Sequence, residues 1–161
     1  MQKFWPFESF YKTNLKISKE ELDQIKIFML NFKNSVDDTQ ITTYQKINVL
    51  DLPILKNLRN QVVKILDSLD LILDGSWAQL YKENNFHFPH VHYGSDYSGI
   101  IYMDGHNSEG TNFLNVRGNI YTSKFKKKDL ILFPSYVLHF VNVQKKDNNR
   151  TVISFNAQRR K

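Results

Sequence analysis

The chain changes texture near residue 75. Before it, apolar residues recur every three or four positions, the spacing of one helix face. Ser18-Lys-Glu-Glu21 is a capping-box pattern, and Leu22, Ile25, Phe28, Met29 and Phe32 follow as an apolar stripe. Asp51-Leu-Pro53 opens a second helix, with Pro suited to its first turn. Ile54, Leu55, Leu58, Val62, Ile65, Leu66 and Leu69 form its stripe, and both stripes read as core packing. After residue 75 come short runs rich in Tyr, Phe, Val and Ile, divided by Gly, Asn, Asp and Pro. They predict strands over 77–82, 86–92, 97–104, 111–116, 119–125, 130–133, 137–143 and 151–157. No helical crossovers separate them, which excludes a parallel α/β sheet. A jelly-roll double sheet or a small barrel fits, with the two helices on one face of the larger sheet.

Composition keeps this picture and removes several chemistries. At 161 residues the chain is one domain's worth, so 1–161 is read as a single domain. Residues 1–74 are its helical support and 75–158 its jelly-roll core. Cys is absent, which excludes disulfides, thiolate metal sites and cysteine nucleophiles. No Gly-rich phosphate loop occurs, so nucleotide-dependent chemistry has no support. The longest apolar runs, such as 129–134, are far shorter than the roughly 18 residues of a membrane span. No signal-peptide core forms at the start, and the expectation is a cytoplasmic protein. The net charge of +6 and pI of about 9.4 invite a polyanion such as nucleic acid. The lysines are scattered, however, and the two clusters, Lys124 with Lys126-Lys127-Lys128 and Arg159-Arg160-Lys161, read as solvated loop and tail.

The histidines carry the candidate chemistry. His90-Val-His92 sits on a predicted strand, where side chains two apart share a face, so one metal ion can bridge both imidazoles. His139, on an apolar strand 47 residues further on, is the natural third ligand. His87 and His106 do not share that face and are assigned to the surface. Arg150, eleven residues after His139, opens the last predicted strand. A guanidinium fork beside a metal site suits a carboxylate, which it grips bidentately.

In this order the residues resemble the iron(II)- and 2-oxoglutarate-dependent oxygenases, whose pattern is His-x-Asp/Glu, a distal His, and an Arg or Lys about ten residues on. Here it reads His90-Val-His92, His139 and Arg150. More narrowly, Ser76-Trp77, Pro89-His-Val-His92, Ser98-Gly99, Phe133-Pro-Ser135 and Ile153-Ser-Phe-Asn156 resemble a prolyl-hydroxylase-like subfamily of small oxygenases from marine bacteria and their phages. The likeness spans about residues 45 to 157. It implies a double-stranded β-helix and iron held by His90, His92 and His139. It also implies 2-oxoglutarate as co-substrate and O2 as oxidant. Arg150 would hold the far carboxylate, with Tyr81, Tyr102 and Ser98 as further co-substrate contacts. Oxidative decarboxylation would yield succinate, CO2 and, most often, a hydroxylated substrate. A virus-encoded enzyme acting in a host cytoplasm is one implication.

Two positions depart from the family pattern. His92 stands where Asp or Glu is usual, and Val152 stands where many members carry Ser. Asp96 is an alternative metal ligand. Two other readings stay open. One is a cupin-type metalloprotein that does not use 2-oxoglutarate, built from His90, His92, Asp96 and His139. The other is a non-catalytic binding module working through the basic tail. The prime substrate is not legible; its contacts would come from residues 35–50, 83–97 or 105–110.

Overall fold

The computed structural model describes residues 2–3, 9–33, 39–105, 110–145 and 149–161. His106 lies outside them. Eleven strands and two α-helices are formed among these residues. The strands are β1 (Gln2–Lys3), β2 (Tyr11–Asn14), β3 (Ile41–Thr42), β4 (Leu71–Tyr81), β5 (His87–His90), β6 (Tyr97–Tyr102), β7 (Asn112–Leu114), β8 (Ile120–Thr122), β9 (Asp129–Pro134), β10 (His139–Val141) and β11 (Arg150–Arg159). The helices are α1 (Lys19–Asn31) and α2 (Lys56–Asp67). All strand pairs are antiparallel. A seven-stranded sheet runs β1-β2-β9-β6-β11-β4-β3, and a four-stranded sheet runs β5-β10-β7-β8.

The capping box forms as expected. The Glu21 amide donates to Ser18 Oγ at 3.1 Å and the Ser18 amide donates to Glu21 Oε2 at 2.8 Å, satisfying two otherwise orphan donors of α1. The second helix starts later than expected. Pro53 disfavours helical backbone at the residue before it, and Leu52 is extended at φ −64°, ψ 133°. The chain therefore enters α2 through two short 3₁₀ turns, Val49–Asp51 and Pro53–Leu55. Strand β4 starts six residues earlier than the predicted 77. Asp74-Gly75 reads as a turn, but here it is a bulge: Gly75 pairs with Asn156 and Leu73 with Ala157, with Gly75 at φ +147°.

Period-2 alternation places two cores on the two faces of the large sheet. Leu80, Ile101, Leu130, Leu132 and Ile153 face the helices, packing on Ile25, Met29, Leu58, Val62 and Leu66. Their neighbours Tyr81, Ile100, Tyr102, Ile131, Phe133 and Val152 face the small sheet and meet Phe113, Val137 and Val141. The helices thus cover the larger sheet, as the apolar stripes require. Gly99 on β6 admits Phe155 of β11 so closely that a Cβ there would lie 2.1 Å from the ring. The first 74 residues add β1, β2 and β3 to the large sheet, besides their helices.

Candidate metal and dicarboxylate site

The site lies between the sheets, on their facing sides. His139 of β10 pairs across the ladder with His90 of β5, so strand register alone brings these two imidazoles together. His92 arrives differently. Strand β5 ends at His90, so alternation along a strand is not what positions His92. Its backbone amide donates to the Ser135 carbonyl at 3.0 Å, fastening the loop after β5 to the turn after β9. Ser135 is in turn held by Ser98 Oγ at 2.8 Å, and Ser98 Oγ donates to Asn156 Oδ1 at 3.0 Å. Trp77 stacks on the His92 ring, with centroids 5.4 Å apart.

One ring nitrogen from each of His90, His92 and His139 lies within 4.8 Å of the others. His90 Nδ1 meets the Phe88 carbonyl at 2.8 Å and His139 Nδ1 meets the Val137 carbonyl at 2.9 Å. A carbonyl only accepts, so both Nδ1 atoms carry the proton and both Nε2 atoms present lone pairs. His92 Nε2 stands 3.2 Å from His139 Nε2. Two nitrogens about 2.1 Å from one ion are about 3.0–3.4 Å apart at right to tetrahedral angles, so this spacing suits a shared cation. Burial holds all three rings neutral. It lowers the His90 pKa against the opposing effect of the Phe88 carbonyl. It lowers His92 to about 4, with help from His90, and it lowers His139 well below the ordinary value. Neutral imidazole is the form a metal needs.

Arg150 lines the same cavity. It is 1% exposed, yet its Nε and Nη1 have no hydrogen-bond partner, and among the described residues no carboxylate pairs with it. Nη2 donates to Thr111 Oγ1 at 3.0 Å. The guanidinium carbon sits 4.8 Å from the Tyr81 ring centroid and 5.6 Å from that of Tyr102. A buried cation held by two aromatic faces, with two N–H groups unsatisfied among the described residues, is chemically suited to an anion. The donor set therefore fits both parts of the implied ligand pair: three neutral imidazoles for a divalent cation and an open guanidinium for a carboxylate.

The remaining expected contacts divide. Tyr81 and Ser98 line the cavity, though the Ser98 hydroxyl is engaged by Ser135 and Asn156. Tyr102 gives Arg150 a ring face, while its hydroxyl binds Thr111 Oγ1 and Ser123 Oγ, each at 3.0 Å. Asp96 points elsewhere: its Oδ2 accepts the Arg159 amide at 2.8 Å. His87 is a correction. It is not a surface residue but lines the cavity, stacked on His90 at 4.0 Å, with Nδ1 3.3 Å from Tyr81 Oη and 3.4 Å from Gln79 Nε2. The register explains this, because His87 pairs with Val141 on the inward-facing side of the small sheet. Thr111 and Gln79 are site residues that sequence reasoning missed. No spacing flags them, since sheet closure alone brings Thr111 to Arg150.

Outside the histidines opens a wider groove, walled by Thr39, Gln40, Thr42, Tyr44, Trp77 and Tyr93 among others. It shares His87, His90 and His92 with the inner cavity, and among the described residues no Asp, Glu, Lys or Arg lines it.

By sequence the chain matches no family model and no curated protein. Its fold matches many solved structures. A viral collagen prolyl hydroxylase from Paramecium bursaria Chlorella virus-1, solved with 2-oxoglutarate, superposes with TM-score 0.67 at 13% identity, over 95% of this chain and 97% of that one. HygX from Streptomyces hygroscopicus, solved with nickel, 2-oxoglutarate and hygromycin B, gives TM-score 0.71 at 9% identity, over 94% and 83%. A Pseudomonas putida prolyl-4-hydroxylase gives 0.65 at 14% identity, over 95% and 94%. The chain thus has the double-stranded β-helix fold of the iron(II)- and 2-oxoglutarate-dependent oxygenases, over nearly its whole length.

Proposed function

We propose that this protein is a non-haem iron(II)- and 2-oxoglutarate-dependent dioxygenase, acting as a hydroxylase. One observation carries the reading: His90, His92 and His139 share a cavity with a buried guanidinium that has no counter-ion among the described residues. The three imidazoles hold the metal by Nε2 of His90 and His139 and a ring nitrogen of His92. Arg150 receives the far carboxylate of 2-oxoglutarate, and Thr111 and Tyr81 fix the guanidinium that receives it. Bound iron with its co-substrate supplies the oxidising power, coupling O2 reduction to decarboxylation. The chain's own contribution is orientation. The Phe88 and Val137 carbonyls lock ligand tautomers, and Ser135 sets the His92 loop.

The prime substrate enters by the outer groove, which draws on segments 39–44 and 87–93. Its described walls, uncharged and partly aromatic, suit an uncharged reacting segment. A cupin-type reading has less support, because Asp96 is engaged by the Arg159 amide and Arg150 would have no role. The basic-tail reading also weakens, because Arg160 is paired with Asp67 and Asp70. A viral gene product acting in a host cytoplasm belongs to the proposal, and the resemblance to small phage and bacterial oxygenases supports it. The test is 2-oxoglutarate consumption by protein supplied with iron(II) and O2, read as succinate. Metal-dependent succinate that disappears in His139→Ala supports the reading. Failure to bind 2-oxoglutarate with Mn(II) present, measured by calorimetry, refutes it.

A further inference from the structure

Strand β11 serves the site at both of its openings. Residues two apart on a strand share a face, so Arg150, Val152 and Ser154 line the inner cavity and Asn156, next on that face, lines the outer groove. Asn156 also walls a neighbouring pocket with Lys46, Asn48 and Asp74, and it stands where the register of β11 on β4 shifts. From this point two lines of hydrogen bonds cross the sheet and meet at Ser135. One is backbone: the Asp96 amide donates to the Ala157 carbonyl at 3.1 Å, and the Ser135 amide donates to the Asp96 carbonyl at 3.0 Å. The other runs through side chains, from Asn156 by way of Ser98 to Ser135. The single hydroxyl proton of Ser98 goes to Asn156 Oδ1, so Ser135 Oγ is the donor to Ser98 Oγ. Ser98 and Ser135 are 2% and 0% exposed, so water does not stand in for a lost partner.

The three clustered histidines are not held alike. His90 and His139 face each other across a strand ladder, and each ring is fixed by the carbonyl of the residue two positions before it. His92 lies beyond the end of β5 and takes its place from the Ser135 carbonyl. We propose that Asn156 is a positioning residue for His92: it orients the Ser98 and Ser135 hydroxyls, and through Ser135 it fixes the loop that carries this histidine. Asn156 thereby belongs to the wall of the outer groove and to the support of the inner site at once. The consequence for metal binding rests on the functional reading above, while the effect on the His92 backbone does not.

The test is amide hydrogen exchange in the metal-free full chain, read at His92 by nuclear magnetic resonance. The Leu114 amide, which donates to the Leu138 carbonyl at 2.9 Å beside the small sheet, is the internal reference. Asn156→Ala and Ser98→Ala should each speed exchange at His92 at least fivefold and leave Leu114 unchanged. Asn156→Asp keeps an acceptor oxygen for Ser98 and should return His92 to within twofold of wild type, a rescue that a purely space-filling role would not require. Calorimetry then reads the metal site. Asn156→Ala and Ser98→Ala should bind Mn(II) at least threefold more weakly than wild type, and Lys46→Ala, on the wall of the neighbouring pocket, should bind it as wild type does. Ser98→Ala cuts the same line and carries the test if Asn156→Ala does not fold. Unchanged exchange at His92, equal acceleration at His92 and Leu114, or no rescue by Asn156→Asp overturns the inference. So does unchanged Mn(II) affinity in a variant whose His92 exchange has risen. Wild type that binds no Mn(II) overturns the functional reading instead and leaves the exchange result standing.

Discussion

Arg150→Met should raise the thermal stability of the metal-free protein while removing its response to 2-oxoglutarate. Arg150 is buried with Nε and Nη1 unpaired, and a buried ion of this kind costs several kcal/mol even after relaxation. Against that stand the Thr111 hydrogen bond, worth about 1 kcal/mol, and contacts to two tyrosine faces, worth about 1–2 kcal/mol together. Met fills similar space between Tyr81 and Tyr102, so little cavity opens. The balance favours the variant by about 1–2 kcal/mol, and a domain of this size gains about 2–4 °C per kcal/mol. Differential scanning calorimetry should therefore show Tm about 2–8 °C higher than wild type. Adding Mn(II) with 2-oxoglutarate should then raise Tm in wild type far more than in the variant, because the charge-assisted contact is gone. A variant less stable than wild type would mean that Arg150 is satisfied in the free protein, and the argument from its unpaired nitrogens would fall.

His139→Ala should abolish tight Mn(II) binding in equilibrium dialysis with the far-ultraviolet circular dichroism unchanged; retained binding would place the ion elsewhere. Asp129 accepts from Lys12 Nζ at 2.8 Å, Asn14 Nδ2 at 3.0 Å and the Lys126 amide at 2.7 Å. Burial raises its pKa, but these partners outweigh it and hold the carboxyl below its usual value. Its stabilisation is therefore complete above about pH 4 and is lost as pH falls through the depressed folded value. Asp129→Asn should lose about 1–3 kcal/mol at pH 7 and progressively less as pH falls below about 4 in urea melts, and a loss that does not change with pH would refute the assignment. Gly99→Ala should destabilise by about 1–3 kcal/mol through overlap with the Phe155 ring, with a lower urea midpoint as the measure; an unchanged midpoint would show the ring can move aside.

The parts of the fold written in local periodicity were legible. All eight predicted strands exist, because alternating burial shows in the order of residues, and so does the helical stripe of Leu58, Val62 and Leu66. The short strands β1, β2 and β3 were not legible. Tyr11-Lys-Thr-Asn14 has no apolar alternation and becomes a strand only because β9 offers its edge. The gathering of His90, His92 and His139 was correctly anticipated, though His92 is placed by the Ser135 carbonyl and not by strand alternation. His87 was misassigned because nothing in the sequence shows on which side β5 meets the large sheet. The unpaired state of Arg150 was equally hidden, since it depends on the groups that sheet closure leaves out of reach.

Strand β11 lies in the middle of the large sheet, hydrogen-bonded to β4 on one side and β6 on the other. Among the described strands it also comes latest in chain order. Until residues 150–159 leave the ribosome, β6 and β4 have no shared neighbour, and the helices have no complete surface to settle on. Completion of the large sheet therefore waits on residues 150–159, and β4 and β6 keep incomplete edges until those residues are in place. Arg150 opens this strand, so the strand that completes the large sheet also brings the buried guanidinium into the cavity.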